Sequence, residues 1–179
     1  MKDWELVKLM HKYNAEQRED EVVWFYRHAE KIKPKVIVEI GIKEGGNLKI
    51  LSTLLDKDGL AIGIDYRQSI PWKMDDCECE IFHVAIDSHS EQAKQQLLEI
   101  LDGRFIDVLF IDGDHSTSGM ILDYDDYSPL VRPGGIIAVH DIYYLEEVRI
   151  AWEKVSRDKK KFESPKNQSS IGIGFLIKE

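Results

Sequence analysis

The chain has 179 residues, long enough for one domain with a sizeable core. Its net charge of −9, from 24 basic and 33 acidic residues, argues against a surface built for nucleic acid or an anionic membrane. The opening MKDWELVKLMHKYN is broken by Asp3, Glu5 and Lys8, so it has no signal-peptide core, and no apolar run approaches the ~18 residues of a membrane span. A cytoplasmic location is expected. Cys77 and Cys79 are too few for a disulfide scaffold and have no partners nearby at metal-ligand spacing.

Residues 3–13 carry Trp4, Leu6, Val7, Leu9, Met10 and Tyr13 at helical spacing. Residues 19–32 do the same with Val22, Val23, Phe25, Tyr26, Ala29 and Ile32, and Pro34 stops the second helix. Both helices precede the first strand, so residues 1–33 are expected to cap the sheet or cover a ligand pocket. Residues 34–179 form the core of the same domain.

That core opens on VIVEIGIKEGGN, Val36 to Asn47. Apolar, β-branched residues suit a strand buried on both faces. Glycines recur at Gly41, Gly45 and Gly46, and an amphipathic helix follows with Leu48, Ile50, Leu51, Leu54 and Leu55 on one face. A glycine turn lets backbone approach a ligand closely, and the carboxyl end of a central strand is where an open α/β sheet binds nucleotide-like ligands.

The second strand, LAIGIDYR, ends in Asp65, about 24 residues after Gly41, where an acid can accept both hydroxyl hydrogens of a ribose. A third short strand, Ile81 to Val84, leads to Asp87, which either belongs to a capping turn or reaches an adenine amino group. Ser88 or Ser90 caps the following helix. His83 and His89 read as structural. Val108 to Ile111 runs straight into Asp112, Gly113, Asp114 and His115; ionisable residues there are costly unless paired or useful.

A helix through Met120, Ile121, Tyr124, Tyr127 and Leu130 follows, then a turn at Arg132–Gly135. The strand Ile136 to Val139 ends in His140 and Asp141. Leu145, Val148, Ala151, Trp152 and Val155 define the last helix, with RDKKKF as a solvated charge run at its end. A strand from about Ile171 to Ile177 is expected to pair with Lys160–Glu163 as a hairpin. The pattern predicts an α/β, Rossmann-like, doubly wound sheet, mostly parallel with a C-terminal antiparallel hairpin. Glu39, Asp65, Asp87, Asp112, His115, His140 and Asp141 should then line one rim.

VEIGIKEGG, GID, IDGDHS and DYSPLVRPGGIIAVHDI, in this order and spacing, resemble class I S-adenosylmethionine-dependent methyltransferases. The chain is similar to the small O-methyltransferases that include macrolide-sugar O-methyltransferases, and to cephalosporin-hydroxylase-like proteins, from about Ile32 to Ile177. The resemblance implies that Glu39, Gly41 and Gly45 wrap the methionine part of S-adenosyl-L-methionine, that Asp65 binds the ribose and that Asp87 contacts adenine. It implies a divalent metal, Mg²⁺ or another, on Asp112, His140 and Asp141, and His115 as general base beside Asp112. His140 departs from the pattern, because many members carry a carboxylate there, and imidazole suits Mn²⁺, Fe²⁺ or Zn²⁺ better than Mg²⁺.

The chemistry asks for such residues. Methyl transfer to oxygen needs in-line geometry and a hydroxyl that loses its proton. An imidazole with a reference pKa of about 6.5 takes that proton at neutral pH. The expected partner is a small-molecule hydroxyl acceptor or sugar, with no nucleic acid and no membrane. Two other readings compete. A nicotinamide-dependent oxidoreductase would use Asp65, but the glycines do not follow G-x-G-x-x-G. A non-catalytic S-adenosylmethionine-binding module, its pocket completed by a second subunit, would be a homodimer.

Overall fold

The computed structural model describes residues 1–67 and 77–179. The apolar runs of the sequence become β1 (Val36–Ile40), β2 (Leu60–Ile64), β3 (Glu80–Val84), β4 (Ile106–Ile111) and β5 (Val131–Val139). All of these pair in parallel. β6 (Lys161–Glu163) and β7 (Gly174–Ile177) add an antiparallel hairpin beside β5. The seven-stranded sheet runs β3-β2-β1-β4-β5-β7-β6, the doubly wound arrangement with a closing hairpin that the sequence predicts. β1 and β4 are buried along their whole length, which is why they carry unbroken apolar character around Glu39 and Asp107.

Successive residues of each central strand feed opposite cores, as the two-residue strand period requires. Ile37, Val108 and Phe110 meet Leu6 and Met10 of α1 (Asp3–Lys12), Val22 and Phe25 of α2 (Glu19–Ala29) and Ile50 of α3 (Gly46–Ser52). Val38, Leu109 and Ile137 meet Leu97 of α4 (Glu91–Leu101), Met120 and Tyr127 of α5 (Thr117–Tyr127) and Trp152 of α6 (Glu146–Val155). Each such fully buried side chain stabilises the fold by roughly 1.5–3 kcal/mol. Ser90 caps α4, its Oγ accepting from the Ala93 N–H at 3.1 Å, so Ser90 and not Ser88 is the cap. Both cysteines are free.

Three buried carboxylates pin the layers. Asp107 accepts the Lys35 and Val36 N–H groups at 2.7 and 2.8 Å and pairs with Arg132. Glu21, 1% exposed, accepts the Ile171 and Gly172 N–H groups at 3.0 Å each, tying α2 to the segment before β7. Asp123, fully buried, accepts from Ser88 Oγ at 2.7 Å.

Two predicted boundaries are corrected. Arg132–Gly135 is not a free turn: it bulges within β5, whose register jumps from Val131 opposite Ile106 to Ile136 opposite Val108. Gly134, at φ +78°, supplies the left-handed residue, and its N–H reaches the Lys178 carbonyl at 2.8 Å. β7 begins at Gly174 rather than Ile171, because the carbonyls of Ile171 and Gly172 bond to Tyr143 and Ile142 instead. Among the described residues no helix is long and apolar enough to cross a membrane.

Candidate functional site

The carboxyl ends of β1, β2, β3 and β4 open into one cleft of about 570 Å³. Its floor is the glycine turn after β1. Gly41 has φ +79°, and a Cβ there would stand 2.1 Å from the Asp112 carbonyl oxygen, so only glycine lets these two loops touch. Gly45, at φ +74°, is the N-cap of α3. Glu39 does not line the cleft. It is 1% exposed behind the turn, accepting from Asn47 Nδ2 at 3.0 Å, and its Oε2 has no partner among the described residues. Burial pushes its carboxyl up to about 8 against the opposing pull of that bond.

Asp65 lies in the cleft at the tip of β2, as predicted. Its carboxylate accepts the Lys43 N–H at 2.7 Å, the Arg67 N–H at 2.9 Å and Arg67 Nη1 at 3.2 Å. Three donors fix its orientation before any ligand arrives. Asp87 and His89 line the next part of the rim. Asp87 accepts the His89 N–H at 3.0 Å, the local turn that the alternative reading of this residue foresaw. His89 Nε2 stands 3.3 Å from Asp123 Oδ1 and so connects the rim to α5.

At the β4 end the structure gathers Asp112, His115, His140 and Asp141. His115 Nε2 lies 3.3 Å from both Asp112 Oδ1 and Asp141 Oδ2. His140 Nδ1 approaches the same carboxylates from the buried side, at 3.2 Å from Asp112 Oδ1 and 3.4 Å from Asp141 Oδ1. One donor atom each from Asp112, His115 and Asp141 falls within a 4.8 Å span, close enough to share an ion. His140 lies behind the group on the buried side, with Nε2 unpartnered among the described residues.

The charges follow from these contacts. Burial opposes a charge on His140, but Asp112 outweighs it and drives the imidazole up to about 9. Burial likewise works to raise Asp112, yet the His140 charge and the bonds from His115, His140 and Gln17 hold it below the usual carboxylate range. The Asp112 hydrogen bond raises His115. Asp141 is raised by burial against the pull of His140.

The sequence reading missed the loop between α1 and α2. Asn14, Ala15, Glu16 and Gln17 line the cleft. Asn14 Nδ2 donates to Glu44 at 3.0 Å, Glu16 pairs with Lys43, and Gln17 Nε2 donates to Asp112 Oδ2 at 2.8 Å. The polar run NAEQ between two amphipathic helices was the available signal. The loop between α1 and α2 therefore forms part of the cleft wall. Gly46 explains the closeness: a Cβ there would stand 2.5 Å from the Tyr13 carbonyl oxygen.

A family model described as "Methyltransferase domain" matches residues 38–142. No curated protein matches the chain. Among solved structures, it is similar to the O-methyltransferase TomG of Streptomyces achromogenes, involved in tomaymycin synthesis and solved with S-adenosylmethionine. That match has TM-score 0.63 and 14% identity over 99% of this chain and 89% of that one. It is also similar to an O-methyltransferase from Bacillus cereus in complex with S-adenosylhomocysteine, at TM-score 0.65 and 16% identity over 99% and 92%. The MycE methyltransferase of mycinamycin biosynthesis, in complex with Mg, S-adenosylhomocysteine and mycinamycin VI, matches at TM-score 0.69 and 16% identity over 97% of this chain and 53% of that one. All three structural matches share the fold, and the family match spans more than half of the sequence: the chain belongs to the methyltransferase-domain family.

Proposed function

We propose that the protein is an S-adenosylmethionine-dependent O-methyltransferase acting on a hydroxyl of a small molecule or sugar. One observation carries the reading: a single cleft joins an oriented acid at the β2 tip to an imidazole set between two carboxylates at the β4 and β5 tips. Its volume suits a ligand of nucleoside size. The glycine turn fits the donor's cradle, because Gly41 lets the β1 and β4 loops close against each other at the floor of the cleft. Asp65 is assigned the ribose hydroxyls, Gly41 and Gly45 the close approach, and Asp87 the adenine edge. Glu39 supports the turn from behind through Asn47.

The donor supplies an electrophilic methyl on a sulfonium. The chain's own task is to orient the acceptor and remove its proton. Donation of the His115 Nε2 proton to Asp112 leaves the Nδ1 lone pair to accept that proton, and the two carboxylates stabilise the resulting imidazolium. Alternatively, the oxygen and nitrogen donors of Asp112, His115 and Asp141 fit a divalent cation; with His115 as a ligand the cation would supply Lewis acidity to the acceptor hydroxyl in place of the imidazole base. The family match leaves the nicotinamide reading without support.

Isothermal titration with S-adenosylhomocysteine tests the donor, and absence of binding ends the proposal. His115→Ala is expected to abolish turnover and keep that binding. Equal turnover in variant and wild type would remove the base role.

A further inference from the structure

Lys49 and Cys77 meet away from the cleft, which neither residue lines. Lys49, in α3, is 5% exposed. A lysine is almost never buried so deeply unless it is paired. Its Nζ stands 2.6 Å from Cys77 Sγ and lies over the Tyr13 ring, 5.3 Å from the centroid. Cys77 is half-buried and lies just ahead of β3.

The separation of these two atoms is not that of a hydrogen bond. An N–H···O bond spans about 2.9–3.0 Å, and sulfur is a larger acceptor than oxygen, so an N–H···S bond runs longer. At 2.6 Å the nitrogen and the sulfur are closer than that, and farther apart than a direct N–S bond. One bent oxygen, singly bonded to each, spans such a distance, so closing that link needs no movement of the backbone. The surroundings select Cys77 over its neighbour. Ser52 Oγ lies 4.0 Å from the Cys77 sulfur, whereas Cys79 turns its Sγ to the Ser52 carbonyl at 3.9 Å. Cys79 is buried, and burial pushes its thiol up to about 11, so it stays a protonated and unreactive thiol. The half-buried Cys77 is the one that an oxidant reaches.

We infer that Lys49 and Cys77 form an oxidative modification site, at which dioxygen links Lys49 Nζ to Cys77 Sγ through a single oxygen atom. An N–O and an O–S bond form, and the S–H bond, the O–O bond and two N–H bonds of the ammonium break. Nitrogen and sulfur together give up four electrons, which dioxygen accepts. One oxygen stays in the bridge and the other leaves as water with two of the hydrogens. One proton passes to solvent, and the bridge nitrogen keeps one hydrogen. Two equivalents of a dithiol supply four hydrogens and return the amine, the thiol and water. The bridge ties α3, whose Gly46 and Asn47 line the cleft, to the residues entering β3. It is independent of the methyl-donor reading and uses none of its residues.

The test is peptide mass spectrometry on the full chain, reduced with dithiothreitol, freed of it and then held in buffer saturated with heavy-isotope dioxygen. Trypsin should stop cutting after Lys49. One linked pair of peptides, carrying Lys49 and Cys77, should gain one heavy oxygen and lose two hydrogens, and dithiothreitol should separate it again. The pair should vanish in Lys49→Arg and in Cys77→Ser and persist in Cys79→Ser. A Cys77–Cys79 disulfide, a sulfinic acid at Cys77 with Lys49 unchanged, a link that loses two hydrogens without gaining oxygen, or no change at all overturns the inference. Should the variants fail to fold, the wild-type spectrum decides alone, because the heavy oxygen and the missed cleavage after Lys49 locate the bridge.

Discussion

Glu39→Gln should stabilise the protein at alkaline pH and flatten its stability profile. Glu39 is 1% exposed, its Oε1 accepts from Asn47, and its Oε2 has no partner among the described residues. Burial raises the carboxyl from 4.5 to about 8. The folded chain thus holds this proton more tightly than the unfolded chain, so stability is full below about pH 4.5 and falls as pH rises through 8. A shift of that size sets a ceiling of roughly 5 kcal/mol on the penalty of the fully ionised group. Relaxation and water entry reduce such penalties, so about 2–4 kcal/mol is expected in practice. Glutamine keeps an acceptor for Asn47 and carries no charge. Urea denaturation of both proteins between pH 5 and 9 reads the effect: the stability difference should grow in favour of Glu39→Gln by that amount. A difference that stays constant across the range would refute the reasoning, because a merely steric change does not titrate.

Asp107→Ala strands the Lys35 and Val36 N–H groups and removes the partner of Arg132, at a cost of roughly 2–4 kcal/mol in urea denaturation; a loss under about 0.5 kcal/mol would show that water replaces the carboxylate. Gly41→Ala places a Cβ 2.1 Å from the Asp112 carbonyl and forces an alanine to φ +79°, so a melting experiment should show at least ~2 kcal/mol lost and calorimetry a weaker hold on S-adenosylhomocysteine. Unchanged stability would mean that the two loops can separate freely. If Asp112, His115 and Asp141 hold a cation, Mn²⁺ at 100 times its Kd should stabilise the wild type by about 2.7 kcal/mol and chelator should reverse it. Asp141→Asn should shrink that shift; an equal shift in the variant places the ion elsewhere.

The sheet was legible because each strand writes its environment into its composition. Val36–Ile40, apolar but for Glu39, and Val108–Ile111 carry no polar alternation, and both are buried on two faces between helical layers. Ser90, one of the two serines expected to cap α4, caps that helix, and Ser116, not singled out in the sequence, caps α5. The bulge at Arg132–Gly135 was hidden, because proline and glycine signal a turn equally well when the ladder resumes on the far side. Gln17 was hidden for a stronger reason. Its partner Asp112 is 95 positions away, and nothing local to either residue encodes the meeting.

His140 and Asp141 are adjacent at the tip of β5 yet reach the group by different routes. Consecutive residues in extended chain point to opposite sides, so neighbours in sequence cannot both face one ion unless the backbone turns between them. It does turn here: Asp141 stands at φ +63°, which swings its carboxylate to within 3.3 Å of His115 Nε2. His140 stays on the strand's own course, buried beside Phe110 with the ring centroids 6.4 Å apart, and touches Asp112 from the inside. His115, three residues after Asp112 and half exposed, meets the same two carboxylates from the cleft side. Two histidines thus divide the work by burial. The inner one is held charged by Asp112 and fixes its carboxylate; the outer one, reachable from the cleft, is the one that can meet a ligand. The Asp112 hydrogen bond raises His115, with the Asp141 charge adding to it, and the inner imidazolium of His140 works against that rise.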